Sequence, residues 1–377
     1  MAAASAARAD AGLDRRFMAL ALALGGRGLG RAWPNPAVGC VLVQAGRIVG
    51  RGWTQPGGRP HAETEALARA GQRARGATCY TTLEPCAHVG ETGPCADALI
   101  EAGIARAVIA LQDPDPRVSG GGIARLEAAG IEVAGGCMEA EARALNAGFL
   151  SRIERGRPHL TLKLASSLDG RIATRSGDSR WITGAAARAR GHLLRASHDA
   201  VMVGAASALA DDPALTCRLP GLGDASPVRV VIDGSARLPQ SHALVSGAGD
   251  VGTWIVSTAA LGDDGRHAAW RGAGVEVIEV EAEADGRPRL AAALEALAAR
   301  GLTRVLVEGG GRLAASLLGA GLVDRIEWFR APGAIGGDGV PALAPLGIAR
   351  ASEMARFVRI ASASLGEDAH DTLVPAA

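Results

Sequence analysis

Three short runs in the first hundred residues carry the side chains of a metal site: His61-Ala62-Glu63, Glu84-Pro85-Cys86 and Pro94-Cys95. One imidazole and two thiolates can hold Zn²⁺ by three protein ligands, leaving the fourth tetrahedral position open to water. A metal placed so lowers the pKa of that water toward neutrality and makes a nucleophile available without strong base. Glu63, two residues beyond the imidazole, can move protons to and from the water without ligating the metal. A structural zinc site is normally closed by four protein ligands, and this chain offers three convincing ones. Cys40 and Cys79 sit in apolar strand patterns and read as buried small hydrophobes. His88, between the two ligand cysteines, reads either as a substrate contact or as a solvent-facing loop residue.

The surrounding elements must bring these groups together. Pro60 precedes a helix from about His61 to Arg69, which places His61 and Glu63 in its first turn and its positive end toward the pocket. Cys79 to Leu83 reads as a strand ending at the Glu84-Pro85-Cys86 turn, and Pro94 suits the first turn of a helix from Cys95 to Ala102. Upstream, Pro34-Asn35-Pro36 is a rigid turn into a strand at Val38 to Val43, with Ile48 to Trp53 pairing back as a hairpin. Downstream come a strand at Ala107 to Leu111 and a turn at Asp113-Pro114-Asp115-Pro116. A helix around Ile123 to Ala129 and a strand at Ile131 to Val133 follow. Glu139 to Arg155 reads as one helix, and Arg155-Gly156-Arg157-Pro158 as the linker behind it.

The N-terminal segment is read separately. Met1 to Gly12 is Ala-rich and expected to be a disordered leader, with Asp14 capping a helix through Leu24. Arg15-Arg16 before the apolar Phe17 to Leu24 has the outline of a twin-arginine or secretory signal. The run is short and no small-residue cleavage site follows, so a buried first helix is the better account.

The second half starts a new α/β series. Strands are expected at Leu160 to Leu164, Ala200 to Val203, Val228 to Ile232, Thr253 to Ser257, Val275 to Val280 and Arg304 to Val307. Helices are expected at Ala185 to Arg195 and Leu290 to Arg300. Val305-Leu306-Val307-Glu308 runs into Gly309-Gly310-Gly311 and an apolar helix start, a strand–turn–helix junction whose free N–H groups can cradle phosphate. The Gly-x-Gly-x-x-Ala spacing there is weak by itself, and no strand-and-acid pattern follows it, so a Rossmann domain is rejected. Alternating helices and short apolar strands in both halves argue for layered α/β domains.

Composition narrows the partners. The chain has 377 residues, too many for one ordinary core, with a formal net charge of +1 and 3% aromatic residues. It has no basic run, so phosphate-tracking grooves and base-stacking platforms for nucleic acid are not expected. Six cysteines without a scaffold's spacing point to a reducing compartment, and no run reaches the ~20 apolar residues of a membrane span.

His-x-Glu followed by Pro-Cys and a second Cys is the layout of zinc-dependent nucleobase deaminases. The second half of that motif is usually Pro-Cys-x-x-Cys, whereas here eight residues, Ala87 to Pro94, separate the cysteines. With that longer loop, the runs Pro34 to Cys40, His61 to Glu63, Thr82 to Cys95 and Gln112 to Pro116 closely resemble the bifunctional riboflavin-biosynthesis deaminase/reductase family. So do Leu162 to Gly170, Trp181 to Thr183 and Ala210 to Thr216 in the second half.

The resemblance implies a cytidine-deaminase-like three-layer α/β/α domain over 14–155 and a dihydrofolate-reductase-like α/β domain over 158–377. The first would deaminate 2,5-diamino-6-(5-phosphoribosylamino)pyrimidin-4-one. The second would reduce the ribosyl group of the resulting uracil to ribityl with NADPH. By the family pattern His61, Cys86 and Cys95 hold zinc and Glu63 is the proton donor. NADP contacts fall on Ala165, Trp181, Ser207, Asp211 and the turn Gly310, Gly311, Arg312, Leu313, Ala314, Ala315 and Ser316. Substrate contacts fall on Ser179, Arg195, Leu215, Arg218 and Glu308, with Arg195 and Arg218 able to fork onto a phosphate. Lys163 and Asp169 flank a polar strand end and can also line this site.

Two positions depart from the pattern: Gly234 stands where a serine is usual, and Trp33 where a threonine is usual. The expected partner is a small phosphoribosylated pyrimidine, with no nucleic acid and no membrane, in the cytoplasm. Homo-oligomerisation is left open. The competing reading is a tRNA-type deaminase carrying an unrelated C-terminal domain.

Overall fold

The computed structural model describes residues 2–88, 93–116, 118–258 and 265–376, with side chains from residue 11 onward. The Val89-Gly90-Glu91-Thr92 part of the inter-cysteine loop lies outside the described residues. The chain divides into two compact units, Met1–Gly156 and Arg157–Ala377.

In the first unit, helix α1 (Ala2–Gly25) precedes the hairpin β1 (Gly39–Gln44) and β2 (Arg47–Trp53), then α2 (Ala62–Ala70) and β3 (Thr78–Thr81). After these come α3 (Cys95–Glu101), β4 (Arg106–Ile109), α4 (Gly121–Ala128), β5 (Glu132–Gly135), α5 (Glu139–Leu145) and α6 (Ala147–Arg155). The sheet order is β2-β1-β3-β4-β5; β1 is antiparallel to both neighbours and β3, β4 and β5 are parallel.

Glycines on the hairpin set the layers. A Cβ on Gly39 would lie 1.8 Å from the Ala21 carbonyl oxygen of α1. On the other face, Cβ atoms on Gly50 and Gly52 would lie 2.2 and 2.1 Å from the Ala66 and Ala62 oxygens of α2. Bare backbone on alternate faces lets a helix close on each side, giving three layers around a core that includes Met18, Leu42, Leu99 and Ile109.

Three expectations for this unit are corrected. Met1 to Gly12 was expected to be disordered, but the backbone is helical from Ala2, in keeping with the high helix propensity of alanine. Asp14 is therefore no N-cap: from mid-helix its carboxylate accepts hydrogen bonds from Tyr80 Oη (2.9 Å) and from Arg106 Nη1 and Nη2 (2.8 and 2.9 Å). Glu139 to Arg155 is two helices, because Asn146 leaves the helical conformation and its Oδ1 accepts the Ala37 N–H at 3.0 Å. The apolar Phe17–Leu24 run supplies buried core residues Phe17, Met18 and Ala21.

The second unit is built on β6 (His159–Ser166), β7 (Arg171–Ala173), α7 (Ala185–Ala196), β8 (Ala200–Gly204), α8 (Ala205–Asp211) and β9 (Val228–Ile232). Then come α9 (Ala243–Ser246), β10 (Thr253–Thr258), α10 (Arg266–Gly272), β11 (Glu276–Val280), α11 (Leu290–Ala299), β12 (Arg304–Val307) and α12 (Gly311–Gly319). Strands β13 (Arg325–Arg330), β14 (Val340–Pro341), β15 (Phe357–Leu365) and β16 (Asp368–Pro375) close the unit. Nine strands form one sheet in the order β11-β10-β9-β8-β12-β6-β13-β16-β15; β7 and β14 pair separately. From β11 to β13 neighbours are parallel, and β16 and β15 add an antiparallel edge.

All six expected strands of this half are present. The expected series stopped short of β13, β15 and β16, where polar residues hide the period. Glu327 is buried with both oxygens engaged: Nε2 of His370 and the hydroxyl of Thr372 meet its Oε2 at 2.6 and 2.9 Å from the neighbouring strand, and Arg325 Nε meets its Oε1 at 2.7 Å. Among the described residues, no helix is long and apolar enough to cross a membrane.

Candidate active sites

His61 is the N-cap of α2, and Glu63 lies in that helix's first turn. Cys86 ends the turn after β3, and Cys95 begins α3 directly after Pro94. Their ligand atoms all lie within 4.8 Å of one another. His61 Nδ1 is 3.2 Å from Cys95 Sγ and 3.6 Å from Cys86 Sγ. Tetrahedral zinc, with Zn–S about 2.3 Å and Zn–N about 2.0 Å, places nitrogen and sulfur about 3.5 Å apart, so the three side chains fit that ion.

The electrostatics suit a bound cation. The hydrogen bond from Cys95, and then that with His61, lowers the Cys86 thiol to about 4. Cys95 is pushed up, first by that same bond and then by burial. A bound dication would favour the thiolate form of both.

Glu63 is 3% exposed, and burial raises its carboxyl above the usual range against the opposing pull of His61. Its Oε1 accepts a hydrogen bond from Thr81 Oγ1 at 3.2 Å. A cavity of about 330 Å³ opens in front of His61, Glu63 and Cys86, with Asn35, Arg59, His88, Asp115 and Arg152 among its lining. His88 is exposed and lines this cavity; Cys40 and Cys79 are fully buried, with their sulfurs 3.6 Å apart.

Sequence reasoning gave Glu84 no role. Its buried carboxylate accepts four backbone N–H groups: Asp113 and Gly120 at Oε2 (3.2 and 3.0 Å), Gly122 and Ile123 at Oε1 (2.9 and 3.1 Å). It therefore ties the turn bearing Cys86 to the start of α4. An acid two residues before the ligand was the only signal, and acids before turns are too common to reveal this.

In the second unit Arg195 and Glu308 form a bidentate pair: Nε–Oε1 2.6 Å and Nη2–Oε2 3.1 Å. Arg195 Nη1 also donates to the Thr216 carbonyl (2.9 Å), and Lys163 Nζ stands 3.7 Å from Glu308 Oε2. Burial alone would raise the Glu308 carboxyl, but Arg195 and Lys163 outweigh it and hold it at about 2. The guanidinium of Arg195 is thus engaged by protein, whereas Arg218 is exposed and its backbone N–H donates to His192 Nδ1 at 3.3 Å.

Leu215 is buried with a left-handed φ of 54°, and Ser179 sits on an exposed turn. Asp169 anchors a loop: it accepts Ser167 Oγ (2.6 Å) and the N–H groups of Ile335 and Gly336 (3.1 and 2.7 Å).

A cavity of about 840 Å³ lies at the carboxyl ends of β8 and β9 and along α12, a size suited to a dinucleotide. Of the expected cofactor contacts, Arg312, Leu313 and Ser316 line it. Ser207 Oγ accepts the Gly310 N–H at 3.0 Å, so it braces the glycine turn. Gly311 admits no side chain, since a Cβ there would lie 2.8 Å from the Pro341 oxygen. Ala314 and Ala315 are buried on the inner side of α12, Asp211 is exposed at the end of α8, and Ala165 is half-buried in β6. Trp181 is 69% exposed and stacks with Arg188, ring centre to guanidinium 4.6 Å.

Fold and sites together define a zinc-dependent deaminase joined to a nicotinamide-dependent reductase. Residues 12–111 match the cytidine and deoxycytidylate deaminase zinc-binding region, and residues 158–371 match the RibD C-terminal domain. The chain is 44% identical to the riboflavin biosynthesis protein RibD of Escherichia coli K12, covering 86% of this chain and 89% of that protein. Identity to the RibD of Bacillus amyloliquefaciens is 42%, covering 88% of each. The solved structure of Acinetobacter baumannii RibD superposes with a TM-score of 0.87 at 36% identity, covering 97% of this chain and all of that one. The deaminase/reductase of Thermotoga maritima gives 0.85 at 32% identity with the same coverage.

The chain belongs to the RibD family, the bifunctional deaminase/reductases of riboflavin biosynthesis, whose cofactors are zinc and NADPH. A tRNA-type deaminase with an unrelated C-terminal domain is not favoured, because the match extends through the reductase half.

Proposed function

We propose that residues 14–155 carry out the deamination and residues 158–377 the reduction, with the following division of labour. His61, Cys86 and Cys95 hold zinc, which when bound supplies the Lewis acidity that makes water nucleophilic near neutral pH. Glu63 takes a proton from the attacking water, gives it to the ring nitrogen, and then carries the remaining hydroxyl proton to the leaving amino group. The ring carbon then keeps the oxygen, and ammonia departs. Thr81 donates a hydrogen bond to the Glu63 carboxylate beside the cavity, and burial raises that carboxyl's proton affinity.

In the reductase, bound NADPH would supply hydride for reduction of the ribosyl C1′. Glu308, ionised and flanked by Arg195 and Lys163, presents carboxylate oxygens to sugar hydroxyls. Arg218, with its guanidinium exposed, takes the phosphate, a role that the engagement of Arg195 by Glu308 leaves to it. The N–H groups at the start of α12 receive the cofactor pyrophosphate. The balanced charge and the lack of a basic stripe support a small-molecule substrate in the cytoplasm, without nucleic acid or membrane.

The observation that carries this reading is a buried carboxylate beside a three-ligand cluster at the floor of a cavity. Glu63→Gln tests it. The variant should retain zinc and lose ammonia release by about a hundredfold to ten-thousandfold, as expected for a lost general acid–base. Normal turnover of that variant would refute the role of Glu63.

A further inference from the structure

Arg218 can meet a substrate phosphate only from a backbone held in one place, and the chain leading to it is strained. Leu215 is buried with its left-handed φ of 54°, which a bulky residue keeps only where its surroundings impose it. The three residues after it are fastened to α7. The Thr216 carbonyl accepts Arg195 Nη1 at 2.9 Å, the Cys217 thiol donates to the His192 carbonyl at 3.5 Å, and the Arg218 N–H donates to His192 Nδ1 at 3.3 Å. His192 and Arg195 lie one turn apart, so these contacts run along one face of the helix. Arg195 is itself fixed by Glu308, whereas His192 has no part in the chemistry proposed above.

The bond to Arg218 also fixes the state of the imidazole. A ring nitrogen that accepts a backbone N–H carries no proton, so His192 is neutral with its proton on Nε2. Burial, then the guanidinium charges of Arg195 and Arg218, lower its pKa and favour that neutral form, against Glu308 and the Thr216 carbonyl. The contact acts at the residue whose side chain is exposed, so it sets the point and direction from which the guanidinium leaves the surface.

We propose that His192 is a positioning residue of the reductase: its Nδ1 holds the Arg218 backbone so that the guanidinium faces the substrate phosphate. A guanidinium forks onto phosphate in a narrow range of directions through charge-assisted bonds, so a small shift of its origin is felt in substrate affinity. The proposal rests on the reading that Arg218 takes the phosphate.

Steady-state reduction of chemically supplied deaminated substrate by the full-length, zinc-loaded protein tests both. Arg218→Ala should raise the KM for that substrate by about tenfold to a hundredfold, as for a lost hydrogen bond to a charged group. His192→Ala should raise it by about threefold to tenfold, with kcat and the KM for NADPH unchanged, as for a loss of ground-state binding. His192→Asn should restore the wild-type KM, because its Oδ1 stands where Nδ1 stood and accepts the same N–H. His192→Gln, whose amide reaches instead to the position of Nε2, should not. In Arg218→Ala protein the further change His192→Ala should leave KM where it is, since no guanidinium remains to be positioned.

An unchanged KM in Arg218→Ala removes the phosphate reading, and the proposal with it. If that KM rises, the proposal alone is overturned by an unchanged KM in His192→Ala, by failure of His192→Asn to restore it, by rescue with His192→Gln, or by additive effects of the two alanine variants. A lower kcat together with a raised KM for NADPH in His192→Ala would mark a general loss of structure and overturn it as well.

Discussion

The two sites of this chain are built in opposite ways. The deaminase cluster draws its ligands from the starts of two helices and one turn, within 35 residues of sequence from His61 to Cys95. The reductase site is spread along a sheet edge, with Lys163 and Arg195 each meeting Glu308 from a segment more than a hundred residues away. A metal needs a few donors at set distances, which short-range structure can supply. A dinucleotide and a sugar phosphate need a long surface, which only an assembled sheet provides. The first site should therefore fail abruptly on loss of one atom, and the second by degrees.

The largest effect should come from Cys86→Ser. Zinc should be lost and ammonia release should fall on the order of a thousandfold or more, because solvent activation goes with the ion. Reduction of chemically supplied deaminated substrate should continue. Metal analysis and the two half-reactions, assayed separately, check this; a parallel loss of reduction would break the contrast between the sites.

Arg195→Ala comes next. It leaves the Glu308 carboxylate buried without its main partner, which should cost about 3 kcal/mol of stability in that unit. The pH dependence sharpens the point. The folded Glu308 carboxyl is held at about 2, below its ordinary value of about 4.3. Its contribution is therefore fully present above about pH 4.3 and is lost as pH falls toward about 2. Denaturant titrations across that window should show this acid loss in the wild type and a smaller one in Glu308→Gln.

Glu84→Gln should have the smallest effect of the three. It replaces one acceptor oxygen by a donor facing backbone N–H groups, at about 2 kcal/mol. Because Glu84 holds the turn bearing Cys86, zinc affinity should fall with stability, while NADPH binding stays constant. A variant that loses stability but keeps zinc affinity would show that the turn is held without it.

Legibility from sequence follows the same division. The spacing of His61, Cys86 and Cys95 announced a metal site, and the order of strands and helices announced α/β layers. Both are written in local periodicity and in turn residues such as Pro60 and Pro94. Strands whose apolar residues alternate or run together were readable to within a few positions, whereas β13 and β16 were not. Their buried polar residues are satisfied by partners brought by the fold, as where Glu327, His370 and Thr372 meet across strands.

Tertiary structure alone decided the rest. It made Asp14 an internal anchor for Arg106 instead of a cap, and it broke the last helix of the first unit at Asn146 to hold the Ala37 N–H. It also gave Arg195 to Glu308 and gathered four backbone donors around Glu84. In each case a polar side chain found its partner through the fold and not along the chain. Spacing records what neighbours in sequence can do, but a buried charge is settled by whichever distant group arrives to meet it.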